Sequence, residues 1–240
     1  MQGRTVLPTA AASAARTCGR APVVIRHPVL QNNHVHAGTP ACSRRNIAEA
    51  LAPGIPGGTK RLSDIAKVPL LMQESPTRVR QIWLDKFRDD GGRLGGVLGE
   101  EEHKALAPKM AACPMFLLPV PRGSGYKNLV WQAQENSFLY QTLESAQRGA
   151  AGSVELGVVL FTELLESHNL VLLHGELQSS LLTKAECEQI VRLTREAYSD
   201  PVRFAWVERF NLRPREFDYE EFLAQMKPLE RWHEADRAGP

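Results

Sequence analysis

The chain has no acidic residue before Glu49. Its unbroken apolar stretches, such as Met115 to Val120, fall far short of the ~20 residues that a membrane-spanning helix needs, which excludes one. Four cysteines in 240 residues are too few for a disulfide framework. A phosphate-binding loop is missing as well: Gly54-Ile-Pro-Gly-Gly-Thr-Lys60 lacks the GxxxxGK[ST] spacing and follows no strand. No repeat of fixed period occurs, which excludes a solenoid. What is present is the composition of a globular protein, 43% apolar and 23% charged, so wholesale disorder is excluded too.

The charge is divided between two unlike segments. Residues 1–48 hold six arginines and no lysine, with Ala, Ser and Thr dominating positions 9–17. An Arg-rich, acid-free, Ser/Thr/Ala-rich segment has the composition of an organelle transit peptide, mitochondrial by preference over plastid. The alternative is a basic arm for nucleic acid, although such arms usually carry lysines and denser charge. Residues 49–60, with two prolines and three glycines, read as a linker. Beyond residue 48, 23 basic residues face 27 acidic ones, a net of −4 inside a whole-chain charge of +2. An acidic domain is a poor nucleic-acid binder. Residues 61–227 suffice for one domain, and the Pro- and charge-bearing tail 228–240 is expected to fray.

Local patterns predict the elements of that domain. Leu62-Ser-Asp-Ile65 is a short amphipathic segment that should stop near Pro69. Ser75-Pro76 supplies a cap and a first-turn proline, and Val79, Ile82, Trp83 and Phe87 follow at helical spacing on one face. Gly91-Gly92 should end this helix, and Gly91 to Gly96 reads as a flexible surface loop. Glu100 to Ala112 is a weaker helix, interrupted at Pro108. The period then becomes two. Met115 to Val120 is a strand confined by Pro114, Pro119 and Pro121 to an edge or to ladder ends, and Gly123-Ser124-Gly125 turns it back. The next strand sets Leu129, Trp131 and Ala133 against Val130, Gln132 and Gln134. Phe138, Tyr140 and Thr142 alternate in another. Leu156 to Leu165 and Leu170 to Leu177 form a hairpin around Ser167-His168-Asn169. Thr183-Lys-Ala-Glu186 is a capping box opening a helix with Cys187, Ile190, Val191, Thr194 and Tyr198 on one face, ended by Asp200-Pro201. Val202 to Phe210 alternates like a strand, and Asp218 caps a last helix through Phe222 to Met226. The sum is an α+β fold, a largely antiparallel sheet flanked by helices.

Chemistry-bearing residues are sparse. His34-Val-His36 has metal-binding residue types but no third ligand nearby and lies in the leader segment. His174-Gly-Glu176 at a strand end could serve acid–base chemistry, against the plainer reading of an ordinary sheet histidine. Cys113 and Cys187 show no CxxC spacing, and Cys187 falls on an apolar helix face that belongs in the core. No catalytic, cofactor or metal site is assigned.

Several segments carry a family resemblance. The block Leu70-Leu-Met-Gln-Glu-Ser-Pro-Thr-Arg-Val-Arg-Gln-Ile-Trp83 resembles the N-terminal motif of the mitochondrial ATP synthase assembly factors that chaperone the catalytic beta subunit. Pro114-Met-Phe-Leu-Leu-Pro-Val-Pro-Arg122 with Gly125-Tyr126 resembles the central strand motif of that family. Phe161-Thr-Glu-Leu-Leu-Glu-Ser167, Val171-Leu-Leu-His-Gly-Glu176, Tyr198, Phe210-Asn211 and Phe217 follow in order. The glycine-rich stretch 91–99 looks expanded, and the tail after Lys227 does not match.

The resemblance implies a matrix chaperone and no enzyme or cofactor. It implies a partner, the unassembled ATP synthase beta subunit, whose apolar assembly surface is shielded until an alpha subunit replaces the chaperone. A monomer without membrane span or nucleic-acid partner is expected. Phe138 and Tyr140, or Phe204, Trp206 and Phe210 on the alternating segment, are candidate client contacts, since both faces of a strand cannot be core in one-layer packing; the plainer reading of each residue by itself is that it fills the core. Trp83, Phe87 and Trp131 are assigned to the core. Tyr140→Ala or Trp206→Ala is then expected to weaken client capture without unfolding the domain. The competing classes are an organellar enzyme using His174, Glu176 or Cys113 and a nucleic-acid-binding factor, which requires a basic face.

Overall fold

A computed structural model describes residues 60–226, apart from 124 and 150–152. The predicted leader 1–48, with His34, His36, Cys18 and Cys42, most of the linker and the tail 228–240 lie outside the described residues.

Six strands form one sheet: β1 (Arg93–Gly99), β2 (Met115–Arg122), β3 (Gly125–Gln134), β4 (Ser137–Thr142), β5 (Leu156–Phe161) and β6 (Leu170–Leu177). Their order is β1-β6-β5-β4-β3-β2, and every neighbouring pair is antiparallel. The sheet is therefore the antiparallel one expected, with helices on both faces. The helices are α1 (Leu62–Ile65), α2 (Val68–Leu71), α3 (Pro76–Arg88), α4 (Glu100–Ala112), α5 (Leu143–Arg148), α6 (Leu165–His168), α7 (Lys184–Ser199), α8 (Pro201–Leu212) and α9 (Tyr219–Met226).

The registers sort side chains by face. Phe116, Trp131, Tyr140 and Leu156 are successive cross-strand partners and share one face. There they join α4, α7, α8 and α9 in a core with Leu106, Ile190, Trp206 and Phe222. Polar tips of the large side chains are satisfied inside it. The Tyr198 hydroxyl donates to the Cys113 carbonyl (2.8 Å) and accepts from the Trp131 indole (3.2 Å), and the Tyr140 hydroxyl donates to Thr194 Oγ1 (3.0 Å). On the opposite face Val97, Leu172, Val159 and Phe161 meet α1, α2 and α3 through Leu62, Leu71, Val79 and Trp83.

The helix signals hold where caps and spacing agree. Ser75 Oγ accepts from the Arg78 amide (3.3 Å), and Val79, Trp83 and Phe87 are buried while Ile82 is half-buried. Thr183 and Glu186 exchange backbone hydrogen bonds in the expected capping box. Asp218 Oδ1 accepts from the Glu221 amide (2.9 Å) at the start of α9.

Five expectations are corrected. Gly91 to Gly96 is not a surface loop: Arg93 begins β1, with Leu94 set against Gly175 and Gly95 against His174. Glycine here answers close packing, since a Cβ on Gly95 would stand 2.6 Å from Phe87 Cδ2. Val202 to Phe210 is helix, not strand. Asp200 Oδ1 accepts from the Arg203 amide (2.9 Å) and Pro201 occupies the first turn, so Trp206 and Phe210 share one face by helical spacing. Pro108 does not interrupt α4; it lies on the exposed side while Leu106 and Met110 hold the buried side, and only one helical hydrogen bond is forgone. Pro69 sits inside the first turn of α2, and the preceding helix already stops at Ile65. The β5–β6 hairpin forms, but β5 ends at Phe161 and not at Leu165, because the single helical turn α6 intervenes, closed by Asn169 at φ 55°.

The β2 edge matches the expectation from its prolines. Pro114 O accepts from the Ala133 amide, which fixes the phase in which Met115, Leu117, Pro119 and Pro121 turn their backbone outward. Two of those positions have no N–H to offer. Met115 is clamped, because Asn211 Oδ1 accepts from the Met115 amide (3.2 Å) and Asn211 Nδ2 donates to the Met115 carbonyl (2.6 Å), which leaves Leu117 as the one outward position without such a device. Replacing Asn211 by Ala is expected to lower stability by about 1–3 kcal/mol, read from chemical denaturation, since both Met115 groups lose their partner in a half-buried site.

Candidate protein-docking surface

The candidate catalytic residues occupy closed positions. His174 lies on β6 between Gly95 and Val159, 2% exposed, with ring centroids of Phe87 at 5.0 Å and of Trp83 and Phe161 at 6.5 Å. Its Nε2 faces Glu176 Oε1 at 3.1 Å, and its Nδ1 has no partner. Glu176 is in turn ion-paired with Lys60. Burial among the aromatic rings lowers the His174 pKa below the ordinary 6.5, more than Glu176 raises it. For Glu176 burial alone would raise the pKa, but hydrogen bonds from Lys60 and His174 together hold it low. The pair is a neutral imidazole braced by a carboxylate and roofed by the aromatic side chains of α3.

Cys113 and Cys187 are both buried. Desolvation raises the Cys113 thiol and pushes Cys187 up to about 12, so neither is a nucleophile. Among the described residues no group of three His, Cys, Asp or Glu side chains has metal-binding geometry. An internal void of about 20 Å³ lies between Phe116, Trp131 and Phe222, room for about one water. No described helix is long and apolar enough to cross a membrane.

The expected client contacts are placed mostly inside. Phe138 (3% exposed), Tyr140 (0%), Trp206 (3%) and Phe210 (1%) belong to the core. Trp206 meets Phe217 and Phe222 at 5.9 and 5.7 Å, and Phe210 meets Phe116 at 5.5 Å. Only Phe204 is half-buried, its ring under Lys109 Nζ at 4.6 Å. The one-layer premise fails because helices cover both faces of the sheet. As folded, those four residues hold the protein together and offer no surface. Trp83, Phe87 and Trp131 are core as assigned.

The exposed apolar side chains lie elsewhere: Val202, Leu212 and Tyr126 stand apart on α8 and β3, whereas two others are close neighbours. Leu70 (56% exposed) and Met72 (53%) project from α2, while their neighbour Leu71 is buried in the core under α3. Beside them an open groove of about 690 Å³ runs along Ser63 to Leu70. Leu84 on α3 is 41% exposed. The turn is held from both sides: Leu62 N–H donates to Glu163 Oε1 (3.1 Å), and the Glu74 carbonyl meets His168 Nε2 at 3.0 Å. An apolar ridge on a fixed frame, flanked by an open groove, suits a protein partner better than a small substrate. Leu70, Leu71 and Met72 lie within the motif that carries the family resemblance, where nothing in the motif itself separates the exposed pair from the buried one. The signal that some are exposed was there in two large apolar residues flanking a third in so short a helix, which cannot bury all three.

Two outcomes follow for the buried candidates. Trp206→Ala is expected to cost about 3–5 kcal/mol in denaturant titration, a core deletion and not a contact deletion. The depressed His174 pKa means that the unfolded chain takes up this proton first as pH falls. Stability from this group is complete above about pH 6.5 and drains below it, at most about 1.4 kcal/mol per pH unit. His174→Phe should flatten the melting temperature between about pH 6.5 and 5 relative to wild type.

A family model described as ATP11 protein matches residues 28–223. The match begins inside the stretch read as leader, so the two overlap over 28–48. The chain is 29% identical over 171 residues to a human protein named ATP synthase mitochondrial F1 complex assembly factor 1, covering 70% of this chain and 52% of that one. The mouse protein of the same name is 28% identical over the same length with the same coverage. The chain thus spans about half the length of these curated relatives. With most of its length matched by the family model, the chain belongs to the ATP11 protein family.

Proposed function

We propose that the chain is an assembly chaperone for the F1 part of the mitochondrial ATP synthase, holding the unassembled beta subunit in the matrix until an alpha subunit replaces it. Residues 1–48 would serve as its import address. The observation that carries the reading is the exposed Leu70–Met72 ridge on a braced turn, in a chain of the ATP11 family whose relatives are named as F1 assembly factors. The closed state of His174 and both thiols favours action by binding over action by turnover.

The energetics of such a chaperone are simple. A lone subunit of an obligate complex exposes a large apolar surface that aggregates. A contact of ordinary size, about 1,600 Å², covers part of it and loses to an obligate interface of about 2,000–5,000 Å². Release then follows from competition and requires no nucleotide.

The test is capture of purified free beta subunit by the full chain, with and without ATP, alongside light scattering of the beta subunit alone. Capture and suppressed scattering independent of ATP are expected. The double variant Leu70→Ser/Met72→Ser should bind about tenfold more weakly, since two half-exposed apolar side chains lose their burial on binding. Its melting temperature should stay near wild type, as both side chains face solvent in the free protein. Capture unaffected by the double variant removes the ridge from the interface. No capture by wild type removes the function.

A further inference from the structure

The two edges of the sheet are treated differently. The β2 edge is blunted at three of its four outward positions by Pro119, Pro121 and the Asn211 clamp on Met115, which leaves Leu117 isolated between them. The β1 edge has none of these devices. Its sequence, Arg-Leu-Gly-Gly-Val-Leu-Gly, contains no proline, no lysine and no inward charge.

The phase of its backbone follows from two hydrogen bonds. Leu177 N–H donates to the Gly92 carbonyl (2.9 Å), and Glu100 N–H donates to the Asn169 carbonyl (3.1 Å). Residues 92 and 100 thus face β6, and in an antiparallel ladder alternate residues share that phase. Gly95 and Val97 direct both backbone groups away from β6, and Gly99 its amide. Arg93 is in the same phase, and its amide is taken by Asp90 Oδ1 at 2.9 Å. At Gly95, Val97 and the Gly99 amide nothing among the described residues answers on this side.

Helices form shoulders above and below this edge. On one face Phe87 lies over Gly95 while Lys86 Nζ reaches the Ile65 carbonyl (2.9 Å), so α3 turns its Lys86 side toward α1. By the helical repeat Arg80 and Leu84 then stand on the opposite side, along the rim of β1. Leu84 is 41% exposed, and Arg80 has no ion-pair or hydrogen-bond partner among the described residues. On the other face α7 spans the strand. Lys184 is tied to the end of α3 through the Arg88 carbonyl (2.8 Å), and Arg195 is held by both oxygens of Glu102 (2.7 and 2.8 Å) just past Gly99.

We infer that the β1 edge accepts an extended segment of the client as a seventh strand, with an apolar client side chain under Leu84 and a client carboxylate on Arg80. Alternating outward amides and carbonyls fit an extended backbone and no other secondary structure. The linker 49–60 of this chain is too rich in proline and glycine to supply it. A second copy is disfavoured by charge. Antiparallel self-pairing uses a two-fold axis normal to the sheet, which keeps faces matched and sets the unpaired Arg80 of both copies on one face.

This inference rests on the chaperone reading, and the experiment separates the two. Amide hydrogen exchange is recorded on the full chain, free and with purified beta subunit. The amides of Gly95, Val97 and Gly99 should exchange rapidly in the free chain and slow by about tenfold or more in the complex. Gly99→Pro removes one outward donor without strain, because the Gly99 φ is −79° and a Cβ there meets nothing within 4 Å. This variant should keep its melting temperature and bind the beta subunit about tenfold more weakly. Arg80→Glu should weaken binding as well. A complex that forms without protecting these amides, or one indifferent to Gly99→Pro, overturns the edge site while the chaperone reading stands. Protection that rises with the chain's own concentration assigns the edge to a second copy and also overturns it. No complex at all overturns both.

Discussion

Helix α3 lies on the sheet through one row of side chains, Val79, Trp83 and Phe87, and the whole N-terminal face depends on how that row is seated. Phe87 rests where Gly95 has no Cβ, and the Trp83 indole donates to the Leu173 carbonyl at 2.8 Å, which fixes the helix in rotation as well as height. The seat puts an aromatic roof over His174, so a polar residue on a central strand becomes a neutral, sealed one. It gives α1 and α2 a wall to pack on, leaving Leu71 inside and Leu70 and Met72 outside. It also aligns Arg80 and Leu84 with the rim of β1. Lys184 carries the same constraint around the end of the sheet, donating from α7 to the last carbonyls of α3, where free carbonyls favour a cation.

Most elements could be read from the chain because local signals agreed with the tertiary result. Ser75-Pro76, the Thr183–Glu186 box and Asp218 each cap the helix expected of them, and the β2 prolines occupy outward phases that cost no ladder bond. The failures share a cause, in that one local feature had two compatible meanings. Asp200-Pro201 reads as the end of one helix, but the same pair starts the next, and that start overrides the apparent alternation of Val202 to Phe210. The glycines at 95 and 96 read as flexibility, whereas at Gly95 the missing side chain makes room for Phe87 contributed from a different element. Only the three-dimensional approach of α3 distinguishes the two meanings. The candidate contacts failed on layer count. Alternation shows that a strand has two faces, but it does not show whether a second layer of helices will cover the other one.

The polar residues at the sheet reflect the same two-layer economy. His174 is tolerated in the interior because Glu176 braces one nitrogen and the rings exclude water from the rest; its unpartnered Nδ1 is a residual cost of that position. Tyr140 and Tyr198 are tolerated because Thr194 and Cys113 supply partners from α7 and the end of α4. Buried polar groups that are spent on internal partners serve packing first, and the described titratable residues of the interior are held in that role.

Among what the fold leaves unspent are main-chain hydrogen bonding on β1 and apolar area at α2, and the two differ in what they recognise. Apolar area binds in proportion to what is covered and is indifferent to register. A strand edge fixes register and direction but tolerates many side chains, because its bonds are to backbone. A protein that must hold a partly folded client, yet surrender it to a larger interface, is served by this combination. On the proposed reading the edge would orient the client through bonds that any extended segment can make. The ridge would add affinity that stays modest because its area is small. Blunting of the opposite edge by Pro119, Pro121 and Asn211, which leaves only Leu117 outward, would disfavour strand addition there, so that a client joined at β1 would not be bridged through β2 into an open-ended sheet.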